Sequence, residues 1–426
     1  MARQMKDSGV EWIGQIPEDW EIVRIKQLFA EVDERCTKGN EYTLLSVSEY
    51  YGVSPKKDHL NEDDMLTRAE TLDGYKICRK NDIVMNIMLA WKRALGVSEY
   101  VGIISPAYCV YRARQEVCAK YFHYLFRTDI YAELFKQNST GIIDSRLRLY
   151  PDKFLALKCQ VPPLEQQEKI VSYLDRKCAE IDAIIAKQQQ IIEKLKEYKL
   201  SVITEAVTKG LDPDVPMKDS GVEWIGKIPE HWVTGKIKNF CNLKTGSTPS
   251  TSNTEWFDGM IRWFTPGDFV ETFILKDSER TLSQKAKDDM VAVIVPPNTV
   301  MIVGIGATAG KIGYTMVECS CNQQITAINT NKIMPKYLMY WMIANTKFLR
   351  DTAMFTTLPI LNNQTIGNYL VMFPDDRNEE KEVVDYLDGK CDKIEILIEA
   401  KKHEIDRLHR YKKSIIYEIV TGKMEV

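Results

Sequence analysis

The chain has 426 residues, 44% hydrophobic and 27% charged, which is long enough for two or more domains with real cores and ordinary for soluble protein. No apolar run approaches the length of a membrane span and no basic-then-apolar leader opens the chain, so a cytoplasmic, membrane-free protein is expected. Ten cysteines without a C-x-x-C pair read as reduced thiols, and a net charge of −3 gives no global pull toward nucleic acid, so any DNA contact must rest on local positive charge.

Residues 5–20 read MKDSGVEWIGQIPEDW, a motif met again at residues 217–232 as MKDSGVEWIGKIPEHW. Between them, residues 42–53, 82–89 and 104–112 have strand character, rich in β-branched and aromatic residues and punctuated by Gly, Pro and Asn. An amphipathic helix is expected over 121–138, and the pair Pro162 and Pro163 then suits a helix entry. A long helix follows over 164–210. Its seam of Ile170, Leu174, Cys178, Ile181, Ile185, Gln188, Ile192, Leu195, Lys199, Val202 and Ala206 has a period of 3.5 from Cys178 onward, so it needs a partner helix. At 1.5 Å per residue the helix is roughly 65 Å long, more than its own domain requires.

The polar linker LDPDVP (211–216) leads to the second copy of the opening motif. Strand-like runs recur at 260–269, 291–306 and 325–330, a helix is expected over 335–352, and Pro374 precedes a second long helix. Residues 384–421 align without a gap on 171–208, and the seam recurs as Cys391, Ile394, Ile398, Lys401, Ile405, Leu408, Lys412, Ile415 and Ile419. The chain is therefore two copies of a unit of some 210 residues. The expected fold is α+β: mixed α/β domains at 5–163 and 217–374, separated by long helices at 164–210 and 375–423. The short linker requires these helices to run antiparallel as a coiled coil, in an internal pseudo-twofold repeat with one domain at each end. On that arrangement Gln188 and Lys401 form a central polar layer that fixes register at some cost in stability, the alternative being that both turn to solvent. The copies agree in the opening motif and helices and differ elsewhere, so the frame is common and the domains meet different things.

Two motifs hint at chemistry. Gly304, Gly306, Gly310 and Lys311 resemble a phosphate loop, but Ile305 and Ile312 stand where a glycine and a hydroxyl are needed, so a glycine-rich hairpin is expected instead. Asp152, Asp175 and Lys177 have a spacing compatible with a metal-dependent nuclease, yet Asp175 and Lys177 fall on the long helix. The five histidines show no metal spacing and no Ser/His/Asp grouping emerges. No catalytic residue and no metal site are assigned. The remaining candidates are basic and hydroxyl residues suited to phosphates and base edges: Lys56, Lys57, Lys92, Arg93 and Arg146 in the first domain, and Lys244, Ser247, Thr248, Thr251, Arg262 and Lys311 in the second. Trp12, Trp20, Trp224 and Trp232 read as packing residues.

The duplicated DSGVEWIG openings, GSTPSTSNTEWFDGMIRWFTPGD at 246–268 and VPPLEQQEKIVSYLD at 161–175 together resemble the DNA specificity subunit of Type I restriction-modification systems, over essentially the whole chain. The resemblance implies two target recognition domains, each reading half of a split site in double-stranded DNA, with the helices as a ruler. It implies no cofactor in this chain. S-adenosylmethionine, ATP and Mg belong to the expected partners, two methyltransferase subunits and the restriction/translocase subunits. The first domain lacks the Gly-Ser-Thr-Pro run of the second, and VPPLEQQ is blurred to FPDDRNEE in the second copy. Readings outside the family are a stand-alone nuclease using Asp152, Asp175 and Lys177, or a protein-binding coiled-coil adaptor.

Overall fold

The computed structural model describes residues 4–37, 41–58, 72–270, 272–351, 354–355 and 359–426. The chain divides into two compact units, residues 1–188 with 403–426 and residues 189–402, so each contains one globular domain and a stretch of both long helices.

The first unit is built on a four-stranded antiparallel sheet in the order Phe29–Val32, Tyr108–Ala113, Ile83–Asn86, Leu95–Val97. The second has Asn242–Thr245, Ile325–Asn329, Thr299–Val303, Ile312–Thr315 in the corresponding order, again antiparallel. The central strands Ile83–Asn86 and Thr299–Val303 are buried on both faces, which is why they read as continuous runs rather than alternating ones. Glycine-rich residues 304–311 join Thr299–Val303 to Ile312–Thr315 as a hairpin. The strand Glu21–Arg24 pairs with Lys158–Val161, and Val233–Lys236 with Leu370–Phe373, so in each domain an early strand pairs with the last one, immediately before a long helix.

The units differ in what they add. The second inserts another four-stranded sheet, Arg280–Leu282, Phe257–Phe264, Cys319–Cys321 and Ile294–Val295, whose central pair is parallel. The first has instead the hairpin Leu45–Ser48 with Gly52–Pro55 and the pair Lys76–Cys78 with Gly102–Ile104.

Each expected short helix is two. Residues 121–138 form Ala119–Phe126 and Asp129–Gln137, broken where the Thr128 hydroxyl donates to the Leu125 carbonyl at 2.8 Å and Thr128 adopts an extended backbone, a local side-chain bond that competes with helix continuation. Residues 335–352 form Pro335–Ala344 and Thr346–Asp351, interrupted at Asn345, whose amide turns back to the Trp341 carbonyl at 2.7 Å. Thr352 lies outside the described residues.

The long helices run Leu164–Lys209 and Arg377–Val420. Along their seams Leu174, Ile181, Ile185, Ile192, Ile394 and Ile398 are buried, and Leu195, Ile405, Leu408 and Lys401 are half-buried. Gln188 is half-buried, and its Oε1 is shielded from water without a hydrogen-bond partner among the described residues, a cost of about 1–3 kcal/mol. Among the described residues no helix is long and apolar enough to cross a membrane.

Within each unit the two helices run antiparallel, and the repeated tryptophan marks their meeting. In the first unit the Trp20 indole donates to Gln166 Oε1 at 2.9 Å, at the start of one helix, while Gly422, just past the end of the other, closes on Pro17 and Trp20. In the second unit Trp232 donates to Glu379 Oε1 at 2.8 Å, and Gly210 closes on Trp232 and Pro229. Buried tyrosines repeat the device, since the Tyr121 hydroxyl donates to the Val420 carbonyl at 3.0 Å and that of Tyr337 to the Val207 carbonyl at 3.1 Å. Further along, Lys412 pairs with Asp182 at 2.7 Å in the first unit and Lys199 with Glu395 at 2.8 Å in the second. The polar interruptions at Lys199 and Lys412 are thus equivalent ion pairs between the helices.

Candidate nucleic-acid interface

In the first unit two connections stand side by side. Residues 87–94 join two sheet strands, and residues 138–149 follow the helix Asp129–Gln137. The Leu149 N–H donates to the Ile87 carbonyl at 2.9 Å. The Lys136 ammonium lies 5.0 Å from the centre of the Trp91 ring and pairs with Asp144 at 3.1 Å, while the Lys92 ammonium lies 5.2 Å from the centre of the same ring. These bonds gather Lys92, Lys136, Arg146 and Arg148 around one loop pair, with Arg146 and Arg148 exposed.

Arg93 sits at the edge of that group in a left-handed backbone conformation, φ +66°, its guanidinium paired with Asp129. Beneath it Arg127 spends its guanidinium on the carbonyls of Arg93, Leu95, Glu49 and Tyr50 at 2.6–2.9 Å, and burial together with the Arg93 charge lowers its pKa to about 10. Arg127, which sequence reasoning missed, is therefore a clamp that holds the 49–51 turn to the sheet. A cleft of about 890 Å³ opens here, lined among others by Tyr50, Lys92, Arg93, His409, Lys412 and Lys413. His123 on its wall is half-buried, accepts a hydrogen bond from the Val97 N–H at 3.3 Å and has its pKa lowered to about 3 by desolvation and by the charges of Arg127 and Lys120. Lys56 and Lys57 stand apart, on the turn Lys56–Asp58 at the end of the hairpin opposite residues 49–51.

The loop pair recurs in the second unit, where the Leu361 N–H donates to the Gly304 carbonyl at 2.7 Å and Ile305 bridges Ile360. Lys311 at its base donates to the Phe269 carbonyl at 2.9 Å. The Gly-Ser-Thr-Pro run has a different job from the one its polarity suggests. A Cβ at Gly246 would fall 2.2 Å from the Cys321 carbonyl oxygen, so only glycine fits. Ser247 then bonds three neighbouring segments: its N–H donates to the Cys321 carbonyl at 2.9 Å, its hydroxyl accepts from the Val293 N–H at 2.9 Å, and its carbonyl accepts from the Trp263 indole at 3.1 Å. Thr248 is tied to Gln323. Gly246 and Ser247 stitch the inserted sheet to the main one, and Thr248, Ser250, Thr251 and Ser252 are exposed. Lys244 is exposed on the outer strand Asn242–Thr245, and Arg262 pairs with Asp277 at 3.3 Å. The basic candidates of this unit are spread around the motif rather than clustered.

The nuclease residues do not converge. Asp175 accepts from the Tyr124 hydroxyl at 2.6 Å and from Lys120 at 3.0 Å, Lys177 pairs with Glu180 at 2.9 Å, and Asp152 is exposed on the short helix Pro151–Ala156. Among the described residues no group of three or more His, Cys, Asp or Glu is placed to hold a metal ion. Trp12 packs edge-on against Tyr131 and Trp224 stacks on Phe348, so with Trp20 and Trp232 all four repeated tryptophans are packing residues.

A duplicated frame that holds two differently furnished strand-and-loop domains defines a recognition scaffold. The model of the Type I restriction modification DNA specificity domain matches residues 17–197 and again 229–407, and the chain belongs to that family, whose members supply specificity rather than catalysis. The Type I restriction enzyme MjaVIII specificity subunit of Methanocaldococcus jannaschii is 24% identical over 97% of this chain and 94% of its own length. The MjaIX specificity subunit of the same organism is 30% identical, but over 44% of this chain and less than half, 43%, of its own length. The EcoBI specificity subunit of Escherichia coli is 23% identical over 62% and 58%. Two solved structures share the fold: a chain from work on complex assembly and conformational transition of the type I R-M system, with a TM-score of 0.69 at 15% identity over 96% of this chain and 99% of that one, and the HsdS subunit from Thermoanaerobacter tengcongensis, with a TM-score of 0.52 at 16% identity over 96% and 98%.

Proposed function

We propose that this chain binds a bipartite site in double-stranded DNA, one half per domain, and positions two methyltransferase subunits and the restriction/translocase subunits on it, in the cytoplasm. One observation carries the reading: the frame repeats bond for bond, Trp20 with Gln166 and Trp232 with Glu379, while the sheets and loops it holds differ. Equal mounts with unequal contents suit two different half-sites. Two domains on one frame would meet the duplex about one helical turn apart, roughly 34 Å, and phosphate contacts through residues such as Lys92, Arg146 and Lys244 would make binding fall steeply with salt. S-adenosylmethionine, ATP and Mg would be held by the partner subunits.

The test is methylation mapping of DNA from a host that expresses this chain with its partner methyltransferase. A split motif methylated in both halves and lost on deletion of the chain is expected, and exchange of residues 5–160 for those of a relative should change one half alone. Absence of any chain-dependent motif would refute the reading.

A further inference from the structure

The connection 138–149 of the first unit carries at its tip two exposed aliphatic side chains: Ile142 is 101% exposed and Ile143 52%. The tip does not hang loose. Thr140 and Arg148 exchange both backbone hydrogen bonds, at 2.9 and 3.0 Å, and the Arg146 N–H donates to the Ile143 carbonyl at 2.8 Å. Below them the Ser139 hydroxyl and the Asn138 amide donate back to the helix carbonyls of Phe135 and Leu134 at 2.7 and 2.8 Å. A Cβ at Gly141 would sit 2.7 Å from the Arg146 carbonyl oxygen, so the loop is folded hard upon itself. The chain has ordered a short, stiff projection and placed its least water-soluble residues at the point.

Around the point the charge is positive. Arg146 and Arg148 are exposed on the same loop, its Asp144 is neutralised by Lys136, and Lys92 lies over the Trp91 ring that Lys136 also contacts. Two side chains cannot furnish the ~1,000 Å² that a stable protein interface buries, whereas a base step takes one or two aliphatic wedges between its planes while cations hold the flanking phosphates.

We infer that Ile142 and Ile143 form a wedge that enters the duplex at one base step of the half-site met by the first domain, unstacking it. This rests on the DNA-binding reading above and deepens it. Steps that unstack easily, pyrimidine followed by purine, are favoured at that position, so the domain selects sequence there through deformability as well as through hydrogen bonds.

The experiment uses the full chain assembled with its methyltransferase partner and duplexes of the mapped site, with 2-aminopurine placed at each position of the half-site in turn. The wild-type complex should raise the fluorescence severalfold at one step only. Ile142→Ser with Ile143→Ser should abolish that rise and weaken binding about tenfold, the scale of one lost apolar contact, while Ile142→Leu retains both. The wedge is overturned if the wild type raises fluorescence at no step, if the double serine variant keeps the rise and the affinity, or if that variant binds DNA normally but no longer holds the methyltransferase, which would make the tip a protein contact. A wild-type complex with no preference for the mapped site would overturn the wedge and the DNA-reading function together.

Discussion

Gly210 directly follows the helix Leu164–Lys209 and Gly422 lies two residues past Arg377–Val420, both at φ +75° and both beside the repeated tryptophan, yet their surroundings are unequal. A Cβ at Gly422 would fall 2.4 Å from Pro17 Cδ and 2.6 Å from its Cγ, both in a rigid ring; at Gly210 the nearest atoms are Trp232 Cζ2 at 3.4 Å and Pro229 Cγ at 3.7 Å, ordinary contact. Alanine costs about 1 kcal/mol at either site for the left-handed backbone. At Gly422 overpacking against Pro17 and Trp20 adds roughly 1–3 kcal/mol. Gly422→Ala should therefore destabilise its unit by about 2–4 kcal/mol and Gly210→Ala by about 1 kcal/mol. The chain has two units, so a single melting midpoint would blur the contrast. Hydrogen exchange read by peptide resolves it: Gly422→Ala should lose protection in residues 5–20 and 410–426, and Gly210→Ala should lose less in 217–232. Equal losses, or a larger one for Gly210→Ala, would refute the argument from the close approach.

The half-buried His123 should make the first unit acid-sensitive. Its folded pKa, about 3, lies below the ordinary 6.5, so below 6.5 the unfolded chain binds a proton that the folded one refuses, and stability falls with falling pH at about 1.4 kcal/mol per unit. Denaturant unfolding between pH 6.5 and pH 5 should show a loss of about 1.6 kcal/mol, and His123→Asn, which keeps an acceptor for the Val97 N–H, should flatten that slope; an unchanged slope would place the sensitivity elsewhere. The two interhelix ion pairs should differ in worth. Lys199 and Glu395 are 12% and 36% exposed against 27% and 56% for Lys412 and Asp182, so double-mutant cycles should give about 1 kcal/mol for the first and about 0.5 kcal/mol or less for the second, the second fading first as salt is added.

Residue order alone carried the frame. A period of 3.5 from Cys178 to Ala206, repeated at 391–419, demanded paired helices because a narrow apolar stripe must be covered, and the near-identical peptides at 5–20 and 217–232 located the mounts. The β-branched and apolar runs at 82–89 and 291–306 were legible as strand-like, and the structure places Ile83–Asn86 in the first and both Ile294–Val295 and Thr299–Val303 in the second. Side-chain partners at long range left no such trace. The break at Thr128 is one hydroxyl bonding a carbonyl three residues back, and Ser247 reads as an exposed hydroxyl until Cys321, Val293 and Trp263 are brought against it. Lys92 and Arg146, 54 positions apart, meet at one surface because Lys136 and the Leu149 N–H tie their loops together. Ile142 and Ile143 looked like any apolar pair, and the exposure of both emerged only when the loop folded back at Gly141. Sequence determined which surfaces must be covered, since that depends on local pattern; which polar groups are consumed by the fold and which remain for a ligand was decided by contacts between distant segments, which only the tertiary structure brings within bonding distance.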